Sequence, residues 1–128
     1  YIGAVVPQVI ESCDELNRRS PGSTAVLAIT SADRLHRGWI QAQRVRRRGS
    51  RTCRAQIEKL LSAIGSSVRI VTITDGHPSV LTWLGAVAGH RVCGLGVDRY
   101  GESGTLTELY QAYRLDAQSI LSASLDSS

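Results

Sequence analysis

Apolar positions along this chain follow two periods. Val68–Thr74 and Val92–Val97 are β-rich runs, each stopped by an acidic turn: Asp75-Gly76-His77-Pro78 and Asp98-Arg99-Tyr100-Gly101. Helical spacing follows each run, and strand-then-helix, repeated, is the grammar of a parallel α/β sheet. Ala25–Thr30 (AVLAIT) is a continuous apolar run, expected as a third strand covered on both faces.

Around these runs the period is helical. Val5, Val6, Val9, Ile10, Cys13 and Leu16 share one stripe, with Pro7 tolerable in the first turn and Ser20-Pro21-Gly22 as the stop. A helix is expected around Trp39–Arg48. Another carries Ile57, Leu60, Leu61 and Ile64, with Gly65 as its left-handed cap. After the central strand, Pro78 suits a first helical position and Gly89 the end. Thr105-Leu106-Thr107-Glu108 reads as a capping box, and Asp116 caps the last helix, whose buried side is Ala117, Ile120, Leu121 and Leu125. Within Val92–Val97, Gly94 and Gly96 share the face that a helix must approach closely.

Composition changes this picture in two places. The formal charge of +4 is unevenly spread, because eight arginines from Arg34 to Arg54 have no acid between them and the remainder is net acidic. Arg44, Arg46, Arg47, Arg48, Arg51 and Arg54 could neutralise phosphates, but without interleaved aromatics or a nucleic-acid motif a partner-facing surface is the better reading. The three cysteines are odd in number and lack metal spacing, which suits a reducing, cytoplasmic setting. No run approaches the roughly 18 apolar residues of a membrane span. The chain has no Met, so Tyr1 is expected to lie inside a longer polypeptide rather than at a translation start.

If right-handed crossovers make the strands parallel, their exits share one edge, where ligands of open α/β sheets usually sit. That edge would collect Ser31, Asp33, Asp75, His77, Asp98, Glu102 and Ser103. A His beside carboxylates and a Ser can be read as acid–base machinery. The same residues equally suit turns and helix caps, and Gly101-Glu102-Ser103-Gly104 lacks the spacing of a nucleophile elbow. No catalytic residue is therefore assigned, and the edge is read as an interface or ligand-edge surface. His36 and His90 lack spaced partners, so no metal site is assigned either.

Gly96-Val97-Asp98-Arg99-Tyr100-Gly101-Glu102-Ser103, a short helix, then Tyr113-Arg114-Leu115-Asp116-Ala117 and a closing helix resemble the end of the transketolase family of thiamine-diphosphate enzymes. C-terminal domains of that family finish with a D-x-[FY]-G-x-S loop, a helix, a short step and a last helix. Thr30-Ser31-Ala32-Asp33-Arg34-Leu35-His36-Arg37 and Asp116-Ala117 lean toward its homodimeric pyruvate dehydrogenase decarboxylating component, and Gly101-Glu102-Ser103 toward transketolase.

The resemblance implies a three-layer α/β/α sandwich with a mostly parallel sheet of about five strands, Tyr1-Ile2 standing as a remnant of the first. It implies a parent enzyme that binds thiamine diphosphate and Mg2+ through other domains, with none held here. The implied partners are the remaining domains of the same polypeptide, a second copy in a homodimer, and an acyltransferase component of a multienzyme complex. This part would be catalytically silent, serving domain packing and dimer assembly. A stand-alone basic module for nucleic acid or an acidic protein is the alternative of another class.

Overall fold

The computed structural model describes residues 1–99 and 101–126. Tyr100, the expected aromatic of the Asp98–Ser103 loop, and the Ser127-Ser128 tail lie outside the described residues. The architecture is mixed α/β, about half of it helix, in the order α1 (Val6–Arg19), α2 (Ala32–Arg47), α3 (Gln56–Ser62), β1 (Ile70–Ile73), α4 (Ser79–Thr82), α5 (Gly85–Ala88), β2 (Val92–Leu95), α6 (Leu106–Ala112) and α7 (Ala117–Leu125). The two strands pair in parallel, Ile70 opposite Val92 and Ile73 opposite Leu95. Bonds from Thr74 N–H to the Leu95 carbonyl (3.1 Å) and from Val97 N–H to the Gly76 carbonyl (2.8 Å) carry the pairing past the strand ends.

Local signals fixed several helix boundaries. Pro7 sits in the first turn of α1, and Glu15 pairs with both Arg18 (2.6 Å) and Arg19 (2.8 Å) in its last turns. At α6 the Thr105 N–H donates to Glu108 Oε2 (2.7 Å) and the Glu108 N–H to Thr105 Oγ1 (3.3 Å), closing the capping box. At α7 the Ser119 N–H donates to Asp116 Oδ1 (3.0 Å). Helix α2 begins seven residues before the expected Trp39, because Ala32, Leu35, Trp39 and Ala42 make an inward stripe that Asp33, Arg34 and Arg37 obscure in the sequence.

Other expectations need correction. Ala25–Thr30 forms no regular strand among the described residues. It runs extended beside Tyr1, whose terminal amine donates to the Leu27 carbonyl (2.8 Å) and whose carbonyl accepts from Ile29 N–H (2.8 Å). These two bonds straddle Ala28 as a parallel pair would. Coverage on both faces is absent: Ile29 is buried, whereas Val26 and Leu27 are 47% and 39% exposed. Ile2 in turn bridges Thr74 in parallel, so Tyr1-Ile2 lies between the Ala28 segment and β1.

The helix expected after β1 is broken in two. Bonds from Leu84 to Leu81, Ala86 to Trp83 and Val87 to Leu84 span three residues, the tighter 3-10 winding. A Cβ on Gly85 would meet Val92 Cγ2 at 2.9 Å and the His90 carbonyl at 3.0 Å, so the break lies where the chain presses on β2. Gly89 ends α5 in the left-handed region (φ 77°) as expected. Gly65 does not cap α3, which closes at Ala63 in right-handed geometry.

Two apolar clusters take alternate residues of β1. Val71 and Ile73 join Val5, Val9, Leu115 and Ile120 from α1 and the α7 region. Ile70 packs against the other cluster, built around Trp39, Ile57, Leu61, Leu81 and Leu84 from α2, α3, α4 and the turn into α5. Within it Trp39 and Trp83 stack, ring centroids 5.3 Å apart at 25°, and His36 meets Trp83 edge-on at 4.8 Å.

Gly96 lets the two exits touch: a Cβ there would stand 2.5 Å from the Gly76 carbonyl and 3.0 Å from Pro78 Cδ. Gly96→Ala should therefore cost about 2–3 kcal/mol in urea unfolding, since backbone must shift to admit the methyl. Gly38→Ala, in the interior of α2 with no neighbour within 4 Å, should instead add about 0.5–1 kcal/mol.

Candidate functional site

The strand exits lie together. Ile2 pairs beside Thr74, Thr74 beside Leu95, and Tyr1 beside Ala28, all in parallel, so Ser31, Gly3, Asp75 and Val97 emerge at one edge. This edge is the rim on which sequence reasoning placed the candidate residues.

Each candidate whose contacts are known is engaged by a local partner. Ser31 Oγ donates to Asp33 Oδ1 (2.6 Å), and Asp33 also meets Arg37 at 3.3 Å. The Ser31 hydroxyl, first among the causes, and the Arg34 N–H hold the Asp33 carboxyl below the usual carboxylate range. Asp75 Oδ2 accepts from Ala4 N–H (2.9 Å), tying the chain before α1 to the exit of β1. The glycine at position 3 is required there: its φ is 91°, and a Cβ would overlap the Asp75 carboxylate. His77 Nδ1 accepts from Ser79 N–H (3.2 Å) and bonds Ser79 Oγ (2.7 Å), a cap on the turn into α4. Asp98 stands exposed with Arg99 at 3.6 Å, and Glu102 and Ser103 are exposed.

This arrangement brings Ser31, Asp75 and the Val97-Asp98 turn to one edge but joins none of Asp75, His77 and Asp98 into an acid–base pair. Among the described residues no group of three or more His, Cys, Asp or Glu side chains is placed to hold an ion. No helix there is long and apolar enough to cross a membrane.

The arginine run divides in two. Arg44, Arg47, Arg48, Arg51 and Arg54 are exposed. Arg46 faces inward: its guanidinium grips Glu58 at 2.6 and 2.9 Å and donates to the Cys53 carbonyl (2.7 Å). Glu58 Oε2 also accepts from Ala55 N–H (2.7 Å), so one forked pair joins the end of α2, the loop and the start of α3. The Arg46 side chain is thus withdrawn from the basic partner surface.

No known family, curated protein or solved structure matches this chain.

A cavity of about 780 Å³ lies elsewhere, along β2 beside α7. Its arginines, Arg69, Arg91 and Arg114, were not legible as a site in the sequence, because the candidate residues there cluster at strand exits and these stand at strand entries and a helix end. The available signal was Arg69 near the start of the Val68–Thr74 run and Arg91 just before Val92–Val97, which the register sets side by side.

The Arg46–Glu58 pair generates a pH prediction. Arg46, the leading cause, and the Ala55 N–H lower the Glu58 carboxyl in the folded chain. A lowered folded value stabilises above the unfolded value, about 4.3, and that stabilisation fades as pH falls through the folded one. Glu58→Gln should cost about 1–3 kcal/mol at pH 7, and the loss should shrink toward pH 3 in urea titrations.

Proposed function

We propose that this chain is the C-terminal domain of a thiamine-diphosphate-dependent 2-oxo acid dehydrogenase, a decarboxylating component acting on pyruvate. Its role is domain packing and dimer assembly, not bond-making. The observation that carries the reading is the rim. Successive parallel segments end on one edge, and Ser31, Asp33, Asp75 and His77 there are held by nearby partners, which suits a surface that other parts of an enzyme rest against. The cofactor and its Mg2+ would be held by other domains of the polypeptide.

The finer architecture belongs to the same proposal. Alternate residues of β1 feed two apolar clusters, one with α1 and α7 and one with α2, α3 and α4. That division supports a sheet with helices on both sides, the three-layer α/β/α sandwich of the family. Tyr1-Ile2 and the Ala28 segment, each paired in parallel, supply further positions toward its five strands. Transketolase is the nearest rival within the family. The internal engagement of Arg46 counts against the basic-module alternative, because it removes one charge from the presumed contact surface.

Two measurements test this reading. The gene around this segment should encode, upstream, Gly-Asp-Gly followed by Asn-Asn, the family's diphosphate–metal motif; a reading frame without it ends the proposal. Calorimetry of the isolated chain with thiamine diphosphate and Mg2+ should give no saturable heat, and binding of micromolar strength would overturn the silent role.

A further inference from the structure

We propose that the groove between β2 and α7 is a binding site for a small phosphate monoester. Among the described residues its lining combines the arginines Arg69, Arg91 and Arg114 with one acidic residue, Asp126. Leu95 and Ala123 add apolar surface for the organic part of such an ester. A volume of about 780 Å³ is within the ordinary range of small-molecule sites.

The fold assembles the cations from distant parts of the chain. Arg69 and Arg91 immediately precede β1 and β2, and the parallel register aligns them, with Ile70 N–H donating to the Arg91 carbonyl (2.9 Å). Arg69 Nη1 also donates to the Ala123 carbonyl of α7 (3.3 Å), which fixes one wall to the other. Among the described residues neither Arg91 nor Arg114 forms an ion pair. Two guanidinium groups thus border the groove without a carboxylate of their own. Guanidinium is the cation best shaped for forked bonds to phosphate oxygens.

Arg114 supplies the strongest argument. It is the one non-glycine residue of positive φ among those described, at 57°. Its N–H donates to the Gln111 carbonyl (3.1 Å) and Leu115 N–H donates to the Tyr110 carbonyl (2.7 Å), the double bond pattern that closes a helix on a left-handed residue. Glycine is the residue that position favours, and any side chain there costs about 1 kcal/mol. On this proposal the position carries arginine rather than glycine for the sake of what its guanidinium binds. This inference stands apart from the enzyme assignment, and neither depends on the other.

The test uses phenyl phosphate and inorganic phosphate as probes at fixed ionic strength. Calorimetry should show saturable binding of one phenyl phosphate, tighter than inorganic phosphate because of the apolar lining. Cys93 also lines the groove, whereas Cys13 and Cys53 do not, so phenyl phosphate should slow alkylation of Cys93 alone. Arg91→Gln and Arg114→Gly should each weaken binding about tenfold or more, as loss of a charge-assisted bond does. Arg48→Gln, in the other basic cluster, should leave it unchanged. Arg114→Gly should meanwhile raise the melting temperature, which separates lost recognition from lost folding. No saturable binding up to about 10 mM, equal binding by the Arg91 and Arg114 variants, or equal protection of all three thiols would overturn the site.

Discussion

The register that sets Ile70 opposite Val92 governs most of what this chain presents to its surroundings. Because the strands run the same way, their ends sort into two populations. Exits gather Asp75, Gly76, Gly96 and Val97, where the backbone of one turn touches that of the other. Entries bring Arg69 and Arg91 together. A slip of one residue would turn Val71 and Ile73 out of the α1–α7 cluster and would separate the two arginines. The same pairing therefore fixes core, rim and groove.

Polar groups at the rim illustrate how little a list of residue types says about chemistry. Asp75 and His77 have the composition of acid–base machinery, yet one holds a backbone amide and the other closes a turn. A carboxylate committed to Ala4 N–H positions the entry to α1 and offers less to a substrate. What the rim retains is shape and charge, the properties that a packing surface requires. The proposed role in a larger thiamine enzyme rests on that distinction.

Features with local causes were legible in the sequence. The capping pairs Thr105–Glu108 and Asp116–Ser119 span three residues, so the sequence states both partners together. Gly94 and Gly96 announced a close approach, and Pro78 Cβ and Cδ lie within 3.3 Å of where their side chains would begin. Features set by distant neighbours were not legible. Ala25–Thr30 has the composition of a buried strand, but burial depends on what lies alongside it, and here only Ile29 is covered. The break between α4 and α5 follows from pressure against β2, and the Arg46–Glu58 fork from the fold of the intervening loop. At the rim, position along the chain indicated the edge but not the partner each side chain takes. The cationic groove stayed hidden because its arginines are dispersed in sequence and meet only through pairing.

The stacked tryptophans have an optical consequence. They are the chain's two indoles, one carried by α2 and the other at the end of α4, with nearly parallel rings in van der Waals reach. Their electronic transitions couple, so the ultraviolet dichroism of the pair belongs to neither ring alone. The signal reports the seating of α2 on the rest of the molecule, and the native chain carries this gauge without any attached dye.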